Sequence, residues 1–370
     1  MATNLAFAAQ QSNRAPDKRT ALVVRMAGSF IKTLKRADPS LFQKWRKFSL
    51  KILNQLGASM LLAAVAIGAP AYAATPESSD PIKIVDNNWS SQKVLARIAQ
   101  QLLEKIGYDT KIVPSDSQGQ FAAMGLGDLD LQMEVWEGTM NDSFMKEVQA
   151  GRMVDLGSHT ATTREDWWYP DYMEEICPDL PDWKALNACA DKFAAPETAP
   201  KGRYLAGPVD WIKHDKEKIE ALDLNFTVVN AGSAAALFGE LKSAAARKEP
   251  IVLFNWAPNW VGAAFPGKFV EFPEHEKACT EDPKWGINPD KTYDCGSPKG
   301  GYLKKAAWSG FEKKWSCAYQ LIKNIDFTGP MIDQAAALAD VDGMTHDAAA
   351  AAWVDKNQKQ VAAWMPACAS

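Results

Sequence analysis

Residues 82–106, IKIVDNNWSSQKVLARIAQQLLEKI, decide the fold class that the sequence predicts. The apolar run Ile82–Val85 is typical of a buried strand, and the polar residues after it predict a loop. A helix is expected next, because apolar residues recur at every fourth position, at Val94, Ile98, Leu102 and Ile106. Gly107 is the expected C-cap of that helix. A strand followed by a helix is the repeating unit of an α/β fold.

The same alternation continues along the chain. Further strands are predicted at Thr110–Val113, Asp128–Val135, Arg203–Ala206, Phe226–Val229 and Ile251–Phe254. Further helices are predicted at Gln120–Leu126, Lys213–Leu222 and Ser233–Arg247, and then within Leu303–Ile325, Pro330–Asp340 and Thr345–Trp364. The strict polar–apolar alternation of the segment at 128–135 indicates a strand with one solvated face. Together these patterns predict an α/β protein with two lobes, each a mainly parallel sheet flanked by helices.

The first 73 residues have the order of a secretory signal. The basic segment Lys44–Lys51 precedes the apolar run Met60–Gly68, and Ala71-Tyr72-Ala73 is a small-x-small cleavage site. The apolar run is too short to span a bilayer, which takes roughly 20 residues. We therefore expect residues 1–73 to be an N-terminal extension with a signal peptide, and the body to be periplasmic and lipid-free. A short anchoring helix is the alternative.

The expected body is acidic and carries no motif of an enzyme. After Ala74 the chain has 30 Lys and Arg against 43 Asp and Glu, which excludes nucleic acid as the expected partner. The four histidines are not accompanied by a nucleophile elbow, a metalloprotease motif, a phosphate-binding loop or a dinucleotide-binding fingerprint. We therefore expect a protein that is not an enzyme and needs no cofactor.

All six cysteines follow residue 176, so all lie in the expected exported body. Two pairs enclose short polar loops, and the remaining two form a long-range pair near the C-terminus. The expected disulfides are Cys177–Cys189, Cys279–Cys295 and Cys317–Cys368. A zinc site is the alternative, but the chain has no CxxC motif and its histidines are scattered, so no metal is expected.

Tryptophan is the unusual component, with 14 residues in the chain. Trp89, Trp136 and Trp256 each follow a different predicted strand and lie in polar loop sequence. The carboxyl ends of strands in open α/β sheets face the ligand crevice, so these three indoles are expected at one edge. Core packing is the alternative use of any tryptophan. An aromatic cage selects a methylated ammonium or sulfonium cation, because the dispersed charge packs against ring faces.

Six segments carry a resemblance to a known family. They are IKIVDNNWSSQKV, GDLDLQMEVWEGT, EDWWYPDYM, IVLFNWAPNW, TYDCGSPKGGYLKKAAW and AAAWVDKNQKQVAAWM. Over residues 81–366 the chain resembles the substrate-binding proteins of ABC importers for glycine betaine, proline betaine, choline and related methylated osmolytes. The resemblance implies a two-lobed periplasmic-binding-protein fold with the ligand in an aromatic box at the interlobe cleft. It also implies a monomer that delivers its ligand to an importer permease in the inner membrane.

The resemblance places the box at Trp89, Trp136, Trp168 and Trp256, with Trp167 as the alternative to Trp168. Residues 81–170 with 300–370 are expected to form lobe 1, and residues 171–299 lobe 2. The loop with Trp183 and the segment DPKWGINPDKTYDCG are similar to a branch of the family that includes trimethylamine N-oxide binders, and Trp183 is a further candidate for the ligand site.

Three polar residues are further candidates for the ligand site. Many members of the family carry His, which helps to hold a betaine carboxylate, where this chain has Asn259. Glu137 and Glu165 are candidates to meet an N-oxide or a cation, with surface carboxylates as the alternative. Two other functions remain open: a ligand-sensing domain of the same fold without transport, and a binder of dimethylsulfoniopropionate.

Overall fold

One mixed sheet of nine strands runs through residues 76–369, the part of the chain that the computed structural model describes. The expected signal peptide and extension at residues 1–73 lie outside this part. The strands are β1 Ile82–Asp86, β2 Thr110–Pro114, β3 Leu131–Trp136, β4 Met153–Pro170, β5 Gly202–Ala206, β6 Phe226–Asn230, β7 Val252–Ala257, β8 Gly267–Phe269 and β9 Gly301–Trp308. Their order is β2-β1-β3-β9-β4-β7-β5-β6, and β8 pairs with β4.

Helices cover both halves of this sheet. The longer helices are α1 Ser90–Lys105, α2 Gly119–Leu126, α3 Glu137–Gln149, α7 Ala234–Arg247, α11 Ser316–Asn324, α12 Gly329–Asp340 and α13 His346–Lys356. The shorter ones are α4 Met173–Ile176, α5 Trp183–Ala188, α6 Asp215–Ala221, α8 Val261–Ala264, α9 Lys277–Glu281, α10 Phe311–Lys314 and α14 Gln358–Trp364, with 3-10 turns at Ala190–Phe193 and Ala367–Ala369. No helix within residues 76–369 has the length and apolar character needed to cross a bilayer.

Strand β4 joins the two halves of the sheet. Between Met153 and Thr163 it pairs antiparallel with β9, and between Arg164 and Trp168 it pairs antiparallel with β7. On one side of it, β1 is parallel to both β2 and β3; on the other, β5 is parallel to both β6 and β7. Each half therefore contains three parallel strands. The pairings between these two groups, of β3 with β9, of β9 with β4 and of β4 with β7, are antiparallel.

Strand β9 replaces the start of a helix that was expected over Leu303–Ile325. From Gly301 to Lys305 buried and half-buried residues alternate: Leu303 and Lys305 are buried, whereas Tyr302 and Lys304 are half-buried. This is the two-residue period of a strand, and pairing with both β3 and β4 stabilises it. The helical expectation was wrong because the run of small and basic residues does not reveal a strand whose partners are distant in sequence.

The solvated face expected for β3 was also wrong. All six residues of Leu131–Trp136 are buried, because elements pack against both faces of the strand. The polar side chain of Gln132 is satisfied internally by hydrogen bonds with Asn87, Gln92 and Gln120. Alternating polarity therefore marks a buried polar network here rather than contact with water.

Three disulfides join the six cysteines. The bonds are Cys177–Cys189, Cys279–Cys295 and Cys317–Cys368, as expected from their positions in the sequence. The first two close short loops, with sequence separations of 12 and 16 residues, around α5 and α9. The third ties the start of α11 to the C-terminal turn across 51 residues.

We expect the 51-residue bridge to contribute more to stability than either short one, because a longer loop has more entropy in the unfolded chain. Removing it in C317A/C368A lowers the free energy of unfolding by about 4 kcal/mol in the chain-entropy model. The matched control C177A/C189A loses about 3 kcal/mol. Urea unfolding of the three proteins measures both values. An unchanged free energy in C317A/C368A would show that the third bridge does not constrain the unfolded chain.

Candidate functional site

A small cavity lies beside the carboxyl ends of strands from both halves of the sheet. Its lining residues are Trp89, Trp136, Thr139, Met140, Glu165, Trp211, Phe254 and Trp256. The wall is mostly aromatic, and Glu165 is the lining residue that bears a carboxylate.

Four indoles dominate the wall, and Trp211 connects two of the others. Its ring lies edge-on to Trp89, with ring centroids 5.7 Å apart and planes at 89°. It is also edge-on to Trp256, with centroids 5.3 Å apart and planes at 86°. Phe254 adds a fifth ring on the same face of β7, two residues before Trp256. The cavity is therefore enclosed by perpendicular aromatic walls that come from both halves of the sheet.

Trp211 was missed in the sequence analysis although a signal was present. It follows strand β5, as Trp89 follows β1, but four residues, Gly-Pro-Val-Asp, separate it from the strand end. Its indole Nε1 donates to Asn88 Oδ1 at 3.1 Å, across the boundary between the two halves. A second contact crosses at the same place, because Ser117 Oγ donates to the carbonyl of Asp210 at 2.6 Å.

Glu134 lies behind the cavity and was also missed. Its Oε2 accepts hydrogen bonds from Trp89 Nε1 at 2.7 Å, from Trp136 Nε1 at 3.0 Å and from Ser91 Oγ at 3.1 Å. Its Oε1 has no hydrogen-bond partner among the described residues. Complete burial raises the pKa of Glu134 to about 7, although the three hydrogen bonds favour the ionised form.

Glu165 brings a second carboxylate to the cavity wall from β4. Thr139 Oγ1 donates a hydrogen bond to its Oε1, and Lys213 Nζ lies 3.5 Å from the same oxygen. Both members of this ion pair are buried, with side-chain exposures of 6% for Lys213 and 4% for Glu165. Glu165 Oε2 has no partner within residues 76–369. One carboxylate oxygen at the cavity is therefore available to a ligand that donates a hydrogen bond.

Neither Trp168 nor Trp167 lines the cavity. Side chains alternate along a strand, so Trp168 points to the opposite face of β4 from Glu165, and it packs beside Gly267 of β8. Trp167 shares the face of Glu165 but lies deeper, stacked on Tyr204 with a centroid distance of 3.7 Å. Its indole Nε1 donates to Asp215 at 2.8 Å. The fourth indole of the cavity wall is therefore that of Trp211, where Trp168 was expected.

Three other candidates lie outside the cavity wall. Trp183 begins α5, where Lys184 Nζ approaches its ring to 5.6 Å. Glu137 begins α3 and its carboxylate accepts the backbone N–H of Tyr302 at 2.9 Å. Asn259 is buried and donates to Asn255 Oδ1. Asn255 lies on the face of β7 opposite to Trp256. In the described part of the chain, no cluster of His, Cys, Asp and Glu is placed to hold a metal ion.

Comparison with known proteins gives one matching family and several related structures. Residues 80–356 match the family described as the substrate binding domain of the ABC-type glycine betaine transport system. A protein of Pelagibacter ubique (strain HTCC1062) named trimethylamine N-oxide-binding protein is 39% identical over 321 residues, which cover 83% of this chain and 97% of that protein.

Two solved structures show that the fold is shared. An ABC-transporter choline-binding protein in complex with choline is 18% identical, with a TM-score of 0.62, and the match covers 78% of this chain and 92% of that one. Lactococcal OpuAC, closed and complexed with glycine betaine, is 18% identical with a TM-score of 0.59, covering 78% and 100%. The expected periplasmic-binding-protein fold is thereby confirmed.

We expect the burial of Glu134 to make stability depend on pH. In the folded protein the pKa of Glu134 is about 7, above its ordinary value of 4.5. Protonated Glu134 therefore stabilises the folded state fully below about pH 4.5, and this stabilisation is lost as the pH rises through 7. The unfolding free energy of the parent minus that of E134Q therefore falls by about 3 kcal/mol over this range. Denaturant unfolding without ligand, at several pH values, measures this difference.

Taking the difference between parent and variant removes the contribution of His159, which both proteins share. Burial lowers the pKa of His159 to about 4, so its own effect on stability runs in the opposite direction with pH. A difference that stays constant between pH 4.5 and 8 would contradict the raised pKa of Glu134.

Proposed function

The chain belongs to the family of substrate-binding domains of ABC-type glycine betaine transport systems, and we propose that it captures trimethylamine N-oxide in its tryptophan-lined cavity. Members of this family bind a transported solute and are not enzymes. Methylated ammonium compounds are the general class of ligand, and the N-oxide is the preferred member. The observation that supports this proposal is the combination of four indoles and one buried carboxylate in a small cavity.

The aromatic wall supports the cationic half of the ligand. A trimethylammonium group spreads its charge over methyl groups that lack strong hydrogen-bond donors, so it gives up little hydration on entering an apolar cage. Each desolvated ring attracts such a cation by about 1–2 kcal/mol. The rings of Trp89, Trp136, Trp211 and Trp256 together contribute about 4–8 kcal/mol. Micromolar binding requires roughly 8 kcal/mol net of the cost of association, so burial of the methyl groups supplies the rest.

The carboxylate supports the choice of the N-oxide over glycine betaine. Glu165 Oε2 has no partner in the described residues and accepts a hydrogen bond from an N-oxide oxygen that carries a proton, or from the hydroxyl of choline. The oxygen of the N-oxide is more basic than the carboxylate of glycine betaine, so it more readily takes up the proton that it donates to Glu165. Among the described residues, no arginine or histidine lines the wall to receive the carboxylate of glycine betaine. The relative from Pelagibacter ubique, named for trimethylamine N-oxide, agrees with this choice.

We further propose that ligand binding closes two lobes. Lobe 1 is formed by residues 81–170 and 300–370, and lobe 2 by residues 171–299. Trp89 and Trp136 belong to the first, whereas Trp211 and Trp256 belong to the second, so neither lobe completes the cage alone. The Trp211–Asn88 and Ser117–Asp210 hydrogen bonds hold the closed arrangement. A ligand that touches both lobes favours closure because its affinity for the closed state is greater.

The same proposal includes the cellular setting. The body is exported by the N-terminal signal, works in the periplasm as a lipid-free monomer and delivers its ligand to the permease of an ABC importer. Three disulfides support an oxidising compartment, where such bonds persist. Delivery to a permease distinguishes this function from a sensing domain of the same fold.

We expect trimethylamine N-oxide to bind tightest, choline next and glycine betaine more weakly. Dimethylsulfoniopropionate also carries a carboxylate and is expected to bind as weakly as glycine betaine. In E165Q the advantage of trimethylamine N-oxide over glycine betaine shrinks, because the carboxylate that accepts the hydrogen bond of the protonated N-oxide is gone. Isothermal titration of the purified protein measures each affinity, with ethanolamine as the unmethylated control for choline. Tightest binding of glycine betaine would contradict the N-oxide preference, and no binding of any methylated compound would contradict the cage.

We also expect Trp211→Ala to weaken binding of trimethylamine N-oxide at least about tenfold, which corresponds to roughly 1.4 kcal/mol. The indole lines the cavity and touches two other cage rings. Trp183→Ala is the matched control, because Trp183 lies outside the wall, and its affinity should stay within about twofold of the parent. Quenching of tryptophan fluorescence measures both. Equal affinities of the two folded variants would remove Trp211 from the site.

A further inference from the structure

The carboxylate of Glu134 occupies an unusual position relative to the cage. Glu134 and Trp136 lie two residues apart on β3, so they share one face of the strand. The same oxygen of Glu134 accepts the indole N–H groups of both Trp136 and Trp89, which reach it from different elements. Two of the four cage rings are therefore oriented by one atom that does not itself line the cavity.

We propose that Glu134 is a positioning residue of the cage, which fixes two of its indoles and whose negative charge strengthens their attraction for a bound methylated ammonium. The inference rests on the proposed function, since it needs a cation in the cavity. It adds a residue behind the cage wall that acts on the ligand without touching it, through the rings of Trp89 and Trp136 and through its charge.

The positioning part follows from the strength and number of the hydrogen bonds. Hydrogen bonds to an ionised acceptor are roughly twice as strong as those between neutral groups. Three donors meet at Oε2, two of them indoles and the third the hydroxyl of Ser91. Each indole has one N–H group, so this bond determines the rotation of the ring in its place. A change of acceptor therefore alters the shape of the cavity on the side of lobe 1.

The charge part follows from the balance of charges around the cavity. The carboxylate of Glu165 is paired with the ammonium group of Lys213, and both are buried, so these two charges compensate each other. Glu134 has three neutral hydrogen-bond donors, and within residues 76–369 no cation lies at its carboxylate. When ionised, it leaves one negative charge next to the cage, which matches the single positive charge of a quaternary ammonium.

The two indoles transmit this charge to the ligand. An indole that donates its N–H to a carboxylate gains electron density in the ring, and the attraction of the ring for a cation rises with that density. The buried setting also screens the charge of Glu134 less than water would. By reciprocity, a cation in the cavity favours the ionised form of Glu134 by the same free energy that the ionised form adds to cation binding.

Two substitutions and two ligands separate position from charge. E134Q keeps an oxygen acceptor for the indoles but removes the charge, and E134A removes both. Choline carries the cation, and 3,3-dimethylbutan-1-ol is its neutral isostere with carbon in place of nitrogen. We expect E134Q to bind choline about tenfold more weakly than the parent and the neutral alcohol within about twofold of it. In E134A both affinities fall. E174Q, which removes a carboxylate that is paired with Lys268 and does not line the cavity, is the control and stays within about twofold for both.

Isothermal titration for choline, and displacement of choline for the alcohol, give the affinities, and circular dichroism checks that each variant is folded. Parent-like binding of choline by E134Q would overturn the charge effect. An equal loss of both ligands in E134Q would reduce Glu134 to a structural residue and would also overturn it. Failure of the parent to bind any methylated ammonium would instead contradict the proposed function, and this inference with it. If E134A does not fold, the comparison of choline with the neutral alcohol in E134Q still tests whether the charge of Glu134 strengthens cation binding.

Discussion

The change of partner within strand β4 is the constraint on which the site depends. Up to Thr163 the strand is paired with β9, and from Arg164 onward it is paired with β7. This single strand therefore sets how far the parallel group of β1 and β3 lies from that of β5 and β7. Glu165 comes one residue after the change, which is why a residue of β4 lines the cavity between tryptophans from the two groups.

A buried polar network supports the cage at the end of β3. Gln132 bonds to Asn87 and Gln120, and Glu134 bonds to Trp89, Trp136 and Ser91, so the loop after β1 and the strand β3 are held together by side chains. Buried polar groups of this kind are stabilising only when their partners are in place. The same bonds that satisfy them also hold the indoles in position, so stability and ligand geometry depend on one set of contacts.

Much of the fold was predictable because local patterns determined it. The alternation of strands and helices up to α7 follows from periodicity, and the tryptophans after β1, β3 and β7 follow from the rule that strand ends face the crevice. Strand β9 was not predictable in this way, because it is stabilised by pairing with β3 and β4, which are remote in sequence. Trp168 was expected at the cavity from its motif. A motif shows which residues are adjacent in the sequence, but it does not show which face of a strand each side chain occupies. Glu134 was hidden for a related reason, since a polar residue on an alternating strand is usually read as solvated.

Trp211 connects these observations with the mechanism. Its ring lies against Trp89 of one half and Trp256 of the other, and its N–H bonds to Asn88. In the proposed closure Trp211 completes the cage, because its contacts with Trp89 and Asn88 join the two halves. In that mechanism a cation that contacts rings of both halves has the greater affinity for the closed state. Binding and closure are then two descriptions of one equilibrium, to whose free energy the contacts of Trp211 contribute.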